Sequence, residues 1–275
     1  MTQDVIRAIG LAIFFTQLGA CASGSRNMTT QHGAWGAEAT VKPGWSRLGA
    51  AAKRALRDPQ TWVPAAGATL FLVTDWDQSV SAWATREHPL FGSQLAASNA
   101  SDDMRDIAKY GALATALLTP NGNNLATTAN GKLKGIGLQI GASVTTGFLT
   151  GAIKTVTDRP RPNGSNNRSF PSGHASGAFV GATLARRNVA ISGYSDTATR
   201  ILDIGFFSMG AGTAWARVEA GVHYPSDVLA GAALGHFVAA VVNDAFIDTE
   251  SAAGPRMSLQ LGRTSGQLTL RWPLR

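Results

Sequence analysis

The sequence predicts an all-α protein, a helical bundle of about six or seven helices with a short C-terminal β-hairpin. Three observations carry that expectation. Long stretches rich in Ala, Gly, Ser, Thr and Leu run between Pro/Gly/Asn breaks, as in "TPNGNN" and "DRPRP". These small residues let helix backbones approach closely, as in a tight bundle. Only the tail, "RMSLQLGRTSGQLTLRWPLR", alternates apolar and polar residues with period two about a Gly-containing turn.

Taken in order, residues 1–21 read as an export signal. A start carrying Arg7 leads into a 13-residue, mostly apolar run, Ala8 to Ala20, too short to span a bilayer comfortably. "LGAC" ends it on Cys21, the only cysteine, so no intramolecular disulfide forms. That stretch resembles a bacterial lipobox, which implies lipidation of Cys21. The residues after it imply the periplasmic side of a bacterial envelope, anchored to the outer membrane. An integral membrane protein is the alternative. Residues 22–45 read as a flexible tether, residues 46–250 as the helical domain and 251–275 as a basic hairpin packed on it.

Within the domain, helices are expected over Ser46 to Arg57, Ser79 to Arg86, Asp102 to Leu118 with Ser101 as its cap, and Gly131 to Thr157. Three more are expected from Ser172 to Arg187, Ala198 to Ala216 and Asp227 to Ile247; Thr61 to Thr74 is a short apolar segment. The apolar runs mostly break after 12 to 16 residues, which favours core helices over bilayer spans. Gly135 to Ile153 is the best candidate span.

The formal charge of +7 implies anionic partners: a phosphorylated substrate or a membrane surface. The cations form no runs and no nucleic-acid motif is present, so nucleic acid is not expected. Three segments concentrate the chemistry. In "KTVTDRPRP", Lys154 ends a helix that Pro160 and Pro162 cannot continue, and Arg161 follows on a stiff loop. Lysine offers a point charge and arginine a planar fork for phosphate oxygens. In "PSGH", Ser172 caps a helix whose first amides, at Gly173 and His174, suit an anion. In "ARVEAGVHYPSDVLAG", Arg217 precedes His223, and Asp227 lies four residues after it at a helix start. A carboxylate there can fix one ring nitrogen and leave the other nucleophilic.

The order Lys-x6-Arg-Pro, Pro-Ser-Gly-His, Arg-x5-His-x3-Asp resembles the type 2 phosphatidic acid phosphatase superfamily. That group includes class A acid phosphatases, lipid phosphate phosphatases and vanadium-dependent haloperoxidases. The serine usual before the third motif's arginine is Ala216 here. The resemblance implies a phosphoric monoester hydrolase acting on a phosphomonoester or pyrophosphate, with lipid phosphates among the substrates. His223 would form a phosphohistidine, Asp227 would fix its tautomer, and His174 would protonate the leaving group. Lys154, Arg161, Ser172, Gly173 and Arg217 would hold the phosphoryl group. No metal or other cofactor is implied; vanadate could stand in for phosphate. A vanadium haloperoxidase and a non-catalytic lipoprotein that binds anionic head groups are the rival readings. Arg159 reads as a solvated neighbour of the motif, His32 as part of the tether, His88 as a loop residue and His236 as packed in a helix.

Overall fold

The computed structural model describes residues 35–36, 39–120 and 125–247, and the backbone alone of 256–261 and 266–271. Eight α-helices run through the described residues: α1 (Trp45–Arg57), α2 (Pro59–Leu72), α3 (Trp76–Glu87), α4 (Gln94–Leu118), α5 (Leu125–Thr157), α6 (Gly173–Ala190), α7 (Asp196–Glu219) and α8 (Pro225–Val242). A single π turn, Asn243–Ile247, follows α8.

The count exceeds the six or seven expected because Thr61 to Thr74 belongs to a full helix, α2. Its start is well specified. Pro59 occupies the first helical position, and the Asp58 side chain accepts from the Gln60 amide at 2.9 Å. Helix α4 also starts earlier than expected. Ser93, not Ser101, caps it, accepting from the Ala96 amide at 3.1 Å, and Ser101 lies buried in mid-helix.

Helix α6 is the centre of the bundle, packed by α8, α4, α7 and α5, while α2 covers the far side of α8. Both α6 and α8 are buried round most of their circumference, as their Ala/Gly/Val-rich sequences allow. Two glycines set how closely they approach. A Cβ on Gly235 would lie 2.3 Å from the Ser176 carbonyl oxygen, and one on Gly231 would lie 2.6 Å from that of Ser172. Across the bundle, buried Asn188 joins three helices: its amide donates to the Ala112 carbonyl (3.1 Å) and its oxygen accepts from Gln139 (2.8 Å).

The expected tether ends sooner than 45. Trp35 and Ala39 are buried, Trp35 beside Ala116 and Ile247 with its indole against Gly135. Cys21, His32 and the export signal lie outside the described residues. At the other end the backbones of β1 (Arg256–Leu261) and β2 (Gly266–Arg271) pair antiparallel, Leu259 opposite Leu268. Among the described residues the helical body contains no strand, and the expected hairpin packed upon it is not supported.

Among the described residues, two segments are long and apolar enough to cross a membrane by length and composition, Leu125–Thr157 and Pro225–Ile247. They differ in setting. The second is mostly buried as a core helix, whereas α5 leaves Leu133, Val144 and Phe148 exposed.

Candidate active site

Helix α5 stops at Thr157 because Asp158 turns left-handed (φ 42°), a conformation aspartate tolerates, and Pro160 then bars helical continuation. The turn carries Arg159 and Arg161 away from Lys154 on the last helical turn. The loop closes through the Arg161 amide, which donates to the Asn166 carbonyl at 3.0 Å, and the chain re-enters helix at Gly173. The Ser172 amide donates to the Asp227 carbonyl at 2.8 Å, stitching the start of α6 to the start of α8.

The third motif is a helix start. Tyr224 is the N-cap of α8, Pro225 its first residue, and the Asp227 carboxylate accepts from the Tyr224 amide at 2.8 Å. Asp227 Oδ2 also accepts from the Ser169 hydroxyl at 2.5 Å and faces His223 Nδ1 at 3.5 Å. Both side chains are buried. Burial pushes the His223 imidazole down to about 4, outweighing Asp227, and Lys154 and Arg161 push the same way. The ring is therefore neutral at ordinary pH, with a lone pair to offer.

Lys154 and Arg161 act on this pair, and Arg217 stands beside those two cations. Burial, with Arg161 next, lowers Lys154 to about 8; its ammonium donates to the carbonyls of Arg168 and Ser169. Burial and then Arg161 lower Arg217 to about 10. Arg217 donates to Ser101 Oγ at 3.2 Å, and its Nε–H is buried with no protein acceptor. Hydroxyls beside this arginine thus come from α4, since position 216 is alanine. Each of Lys154, Arg161, Arg217, His174, His223 and Asp227 is felt electrostatically by at least one of the others, so the sequence-predicted charged residues converge on one place.

Two predicted members take less direct positions. Ser172 is fully buried, and its hydroxyl accepts the helix-cap bond from the Ala175 amide at 3.4 Å. Gly173 lines a cleft of about 360 Å³ between α4, α5 and α6, together with Lys154, Thr150, Gly151, Arg105 and Lys109.

The structure adds residues that the sequence reading missed. Arg159 is no solvated bystander. One arm donates to Asp227 Oδ1 at 2.7 Å and to Ser226 Oγ at 2.7 Å, and the other to Asp77 Oδ2 at 2.6 Å. Asp77, buried on α3, also accepts from the Ser226 amide at 2.8 Å. Burial alone would lower the Arg159 guanidinium, but its two carboxylates outweigh that and hold it above the usual value. On the other side, Asp102 Oδ1 of α4 lies 2.8 Å from His174 Nε2. Arg159 carried a usable signal, lying within the first motif. Asp77 and Asp102 carried none, being distant in sequence from every motif.

Fold and site together define a helical body that gathers two histidines, a buried aspartate and several cations where three motif segments meet. Residues 136–248 match the family model of the PAP2 superfamily, and this segment is what the chain has in common with it. The match contains all three motifs and excludes α1 to α4. No curated protein and no solved structure matches the chain.

Proposed function

We propose that the protein is a phosphatase that cleaves a phosphomonoester or pyrophosphate through a phosphohistidine on His223, with lipid phosphates among its substrates. The observation that carries this is a neutral, buried imidazole backed by Asp227 and facing Lys154 and Arg161, with Arg217 next to those cations. His223 attacks phosphorus while Asp227 holds its other nitrogen. The three cations, with the Gly173 amide, bind the phosphoryl oxygens and offset the charge that grows on them. The buried Nε–H of Arg217 supports this role, because a phosphoryl oxygen would satisfy it. His174 gives a proton to the leaving oxygen, then takes one from the water that hydrolyses the intermediate. Arg159 and Asp77 keep the Asp227 carboxylate in place.

Three fixed cations supply the charge that a divalent ion supplies elsewhere, so turnover should proceed in a chelator. The exposed apolar side of α5 favours work at a membrane surface, and a lipid on Cys21 would tether the domain there.

The test is phosphate release from phosphatidic acid, an isoprenyl pyrophosphate and an aryl phosphate, with and without detergent. Rapid quenching should trap an acid-labile phosphoprotein that His223→Ala abolishes. No release from any of the three favours a head-group-binding lipoprotein, and halide oxidation on adding vanadate favours a haloperoxidase. Release that survives His223→Ala would refute the mechanism.

A further inference from the structure

The acid step rests on His174, and the surroundings of this ring pose a problem that the three motifs do not solve. Its Nε2 has two side chains of α4 within bonding distance, and they ask for opposite protonation. Asp102 Oδ1, at 2.8 Å, needs an N–H. Arg105 Nη1, at 2.7 Å, needs a bare lone pair. Arg105 is itself paired with Asp102 at 3.0 Å and with Asp106 at 3.0 Å. From α7, Arg217 adds a third charge facing the ring.

With Nε2 bare and accepting from Arg105, a neutral ring carries its one proton on Nδ1 and cannot release it without becoming an imidazolate. With Nε2–H donated to Asp102, Nδ1 can carry a proton, give it up and take another while the ring stays cationic or neutral. Nδ1 is also the nitrogen that α4 leaves unengaged.

We propose that Asp102 is the positioning residue of the acid, holding Nε2–H so that Nδ1 of His174 is the atom that exchanges protons with the leaving group and the water. This rests on the phosphatase reading above. In the first half-reaction the P–O bond to the leaving group breaks, and that oxygen takes the Nδ1 proton while Nε2–H stays on Asp102. In the second, water attacks the phosphohistidine phosphorus, its proton passes to the emptied Nδ1, and the P–N bond to His223 breaks. Protons balance over the cycle. The arrangement repeats the aspartate–histidine pairing of His223 and Asp227. It also works against the charges at His174. Burial, Arg217 and Arg105 push this imidazole down to about 4, and Asp102 opposes them without outweighing them.

The experiment compares Asp102→Asn with the parent on two phosphomonoesters, one with an alkyl leaving group and one with nitrophenol. A nitrophenolate leaves with little help, whereas an alkoxide needs the proton. General acid catalysis is worth roughly 10²–10⁴-fold, so the alkyl rate should fall at least about tenfold more than the nitrophenyl rate. The descending limb of the alkyl pH profile should move to lower pH, and Asp102→Glu should restore part of the loss. Asp102 is half exposed, so a merely structural loss would lower both rates together; that result, or no change in their ratio, overturns the proposal. If the parent releases phosphate and His223→Ala stops it while the Asp102→Asn ratio is unchanged, this proposal alone fails. If the parent releases no phosphate, the phosphatase reading fails and takes this one with it.

Discussion

Replacing Gly235 by alanine tests whether backbone contact between α6 and α8 sets the geometry of the site. The added Cβ would sit 2.3 Å from the Ser176 carbonyl oxygen and 3.0 Å from the Val180 nitrogen. Non-bonded heavy atoms settle at roughly 3.5 Å or more, so the helices must separate locally by about 1 Å. Overpacking of this kind costs about 1–3 kcal/mol, against which alanine's better helix propensity returns at most about 1 kcal/mol. The net expectation is a loss of about 1–2 kcal/mol. Function should suffer more than stability. His174 rides on the first turn of α6 and Asp227 on the first turn of α8, and a 1 Å displacement can cost on the order of 10²-fold in rate. The control is Gly141→Ala on α5, where a Cβ meets nothing within 4 Å; it should gain about 0.5–1 kcal/mol and leave the rate unchanged. Urea unfolding and kcat/KM on an aryl phosphate give both quantities. A Gly235→Ala protein as stable and as fast as the parent would refute the reasoning.

Removing Arg159 as methionine leaves the buried carboxylates of Asp77 and Asp227 without their shared cation, and should cost about 3–5 kcal/mol in chemical unfolding. Arg159→Lys, which keeps the charge but not the two-armed grip, should recover only part. Asn188→Ala strands the Ala112 carbonyl and the Gln139 amide and should lose about 1–3 kcal/mol. For His223 the folded-state value, about 4, lies below the unfolded 6.5, so the unfolded chain binds the extra proton between them. Its contribution is complete above pH 6.5 and is lost as pH falls toward 4, about 3 kcal/mol in all at 1.36 kcal/mol per tenfold change in proton affinity. His223→Gln should flatten that slope in pH-dependent melting. Phosphate release should be the same in EDTA as in its absence; a loss restored by a divalent ion would contradict the cationic account of the site.

The helices were legible because their ends are marked locally. Ser172 and the prolines after Asp158 each fix a boundary by one residue's chemistry, whereas Pro59 and Pro225, which start α2 and α8, were passed over and the last helix was expected to begin only at Asp227. Ser101 misled because a serine before acidic residues has the form of a cap, while the helix continued past it to Ser93. The motif residues were legible for a related reason: each sits at a helix terminus within a short segment. Arg159 was in view but misread, since exposure cannot be read from a basic loop. Asp77 and Asp102 were invisible because their partners lie 82 and 72 residues away, Arg159 and His174 respectively. Only the packing of α3 and α4 against the motif segments pairs them.

Those two aspartates also bear on where this protein, as a working object, begins. The family match starts at residue 136, yet the carboxylates that balance Arg159 and face His174 come from residues 77 and 102. A piece cut at the edge of the match would carry every motif and still hold a guanidinium with half its counter-charge, beside a histidine stripped of its acidic neighbour. The recognisable segment is thus smaller than the smallest unit that can balance its own charges. Grafting 136–248 onto another scaffold would transfer the signature and leave the ballast behind.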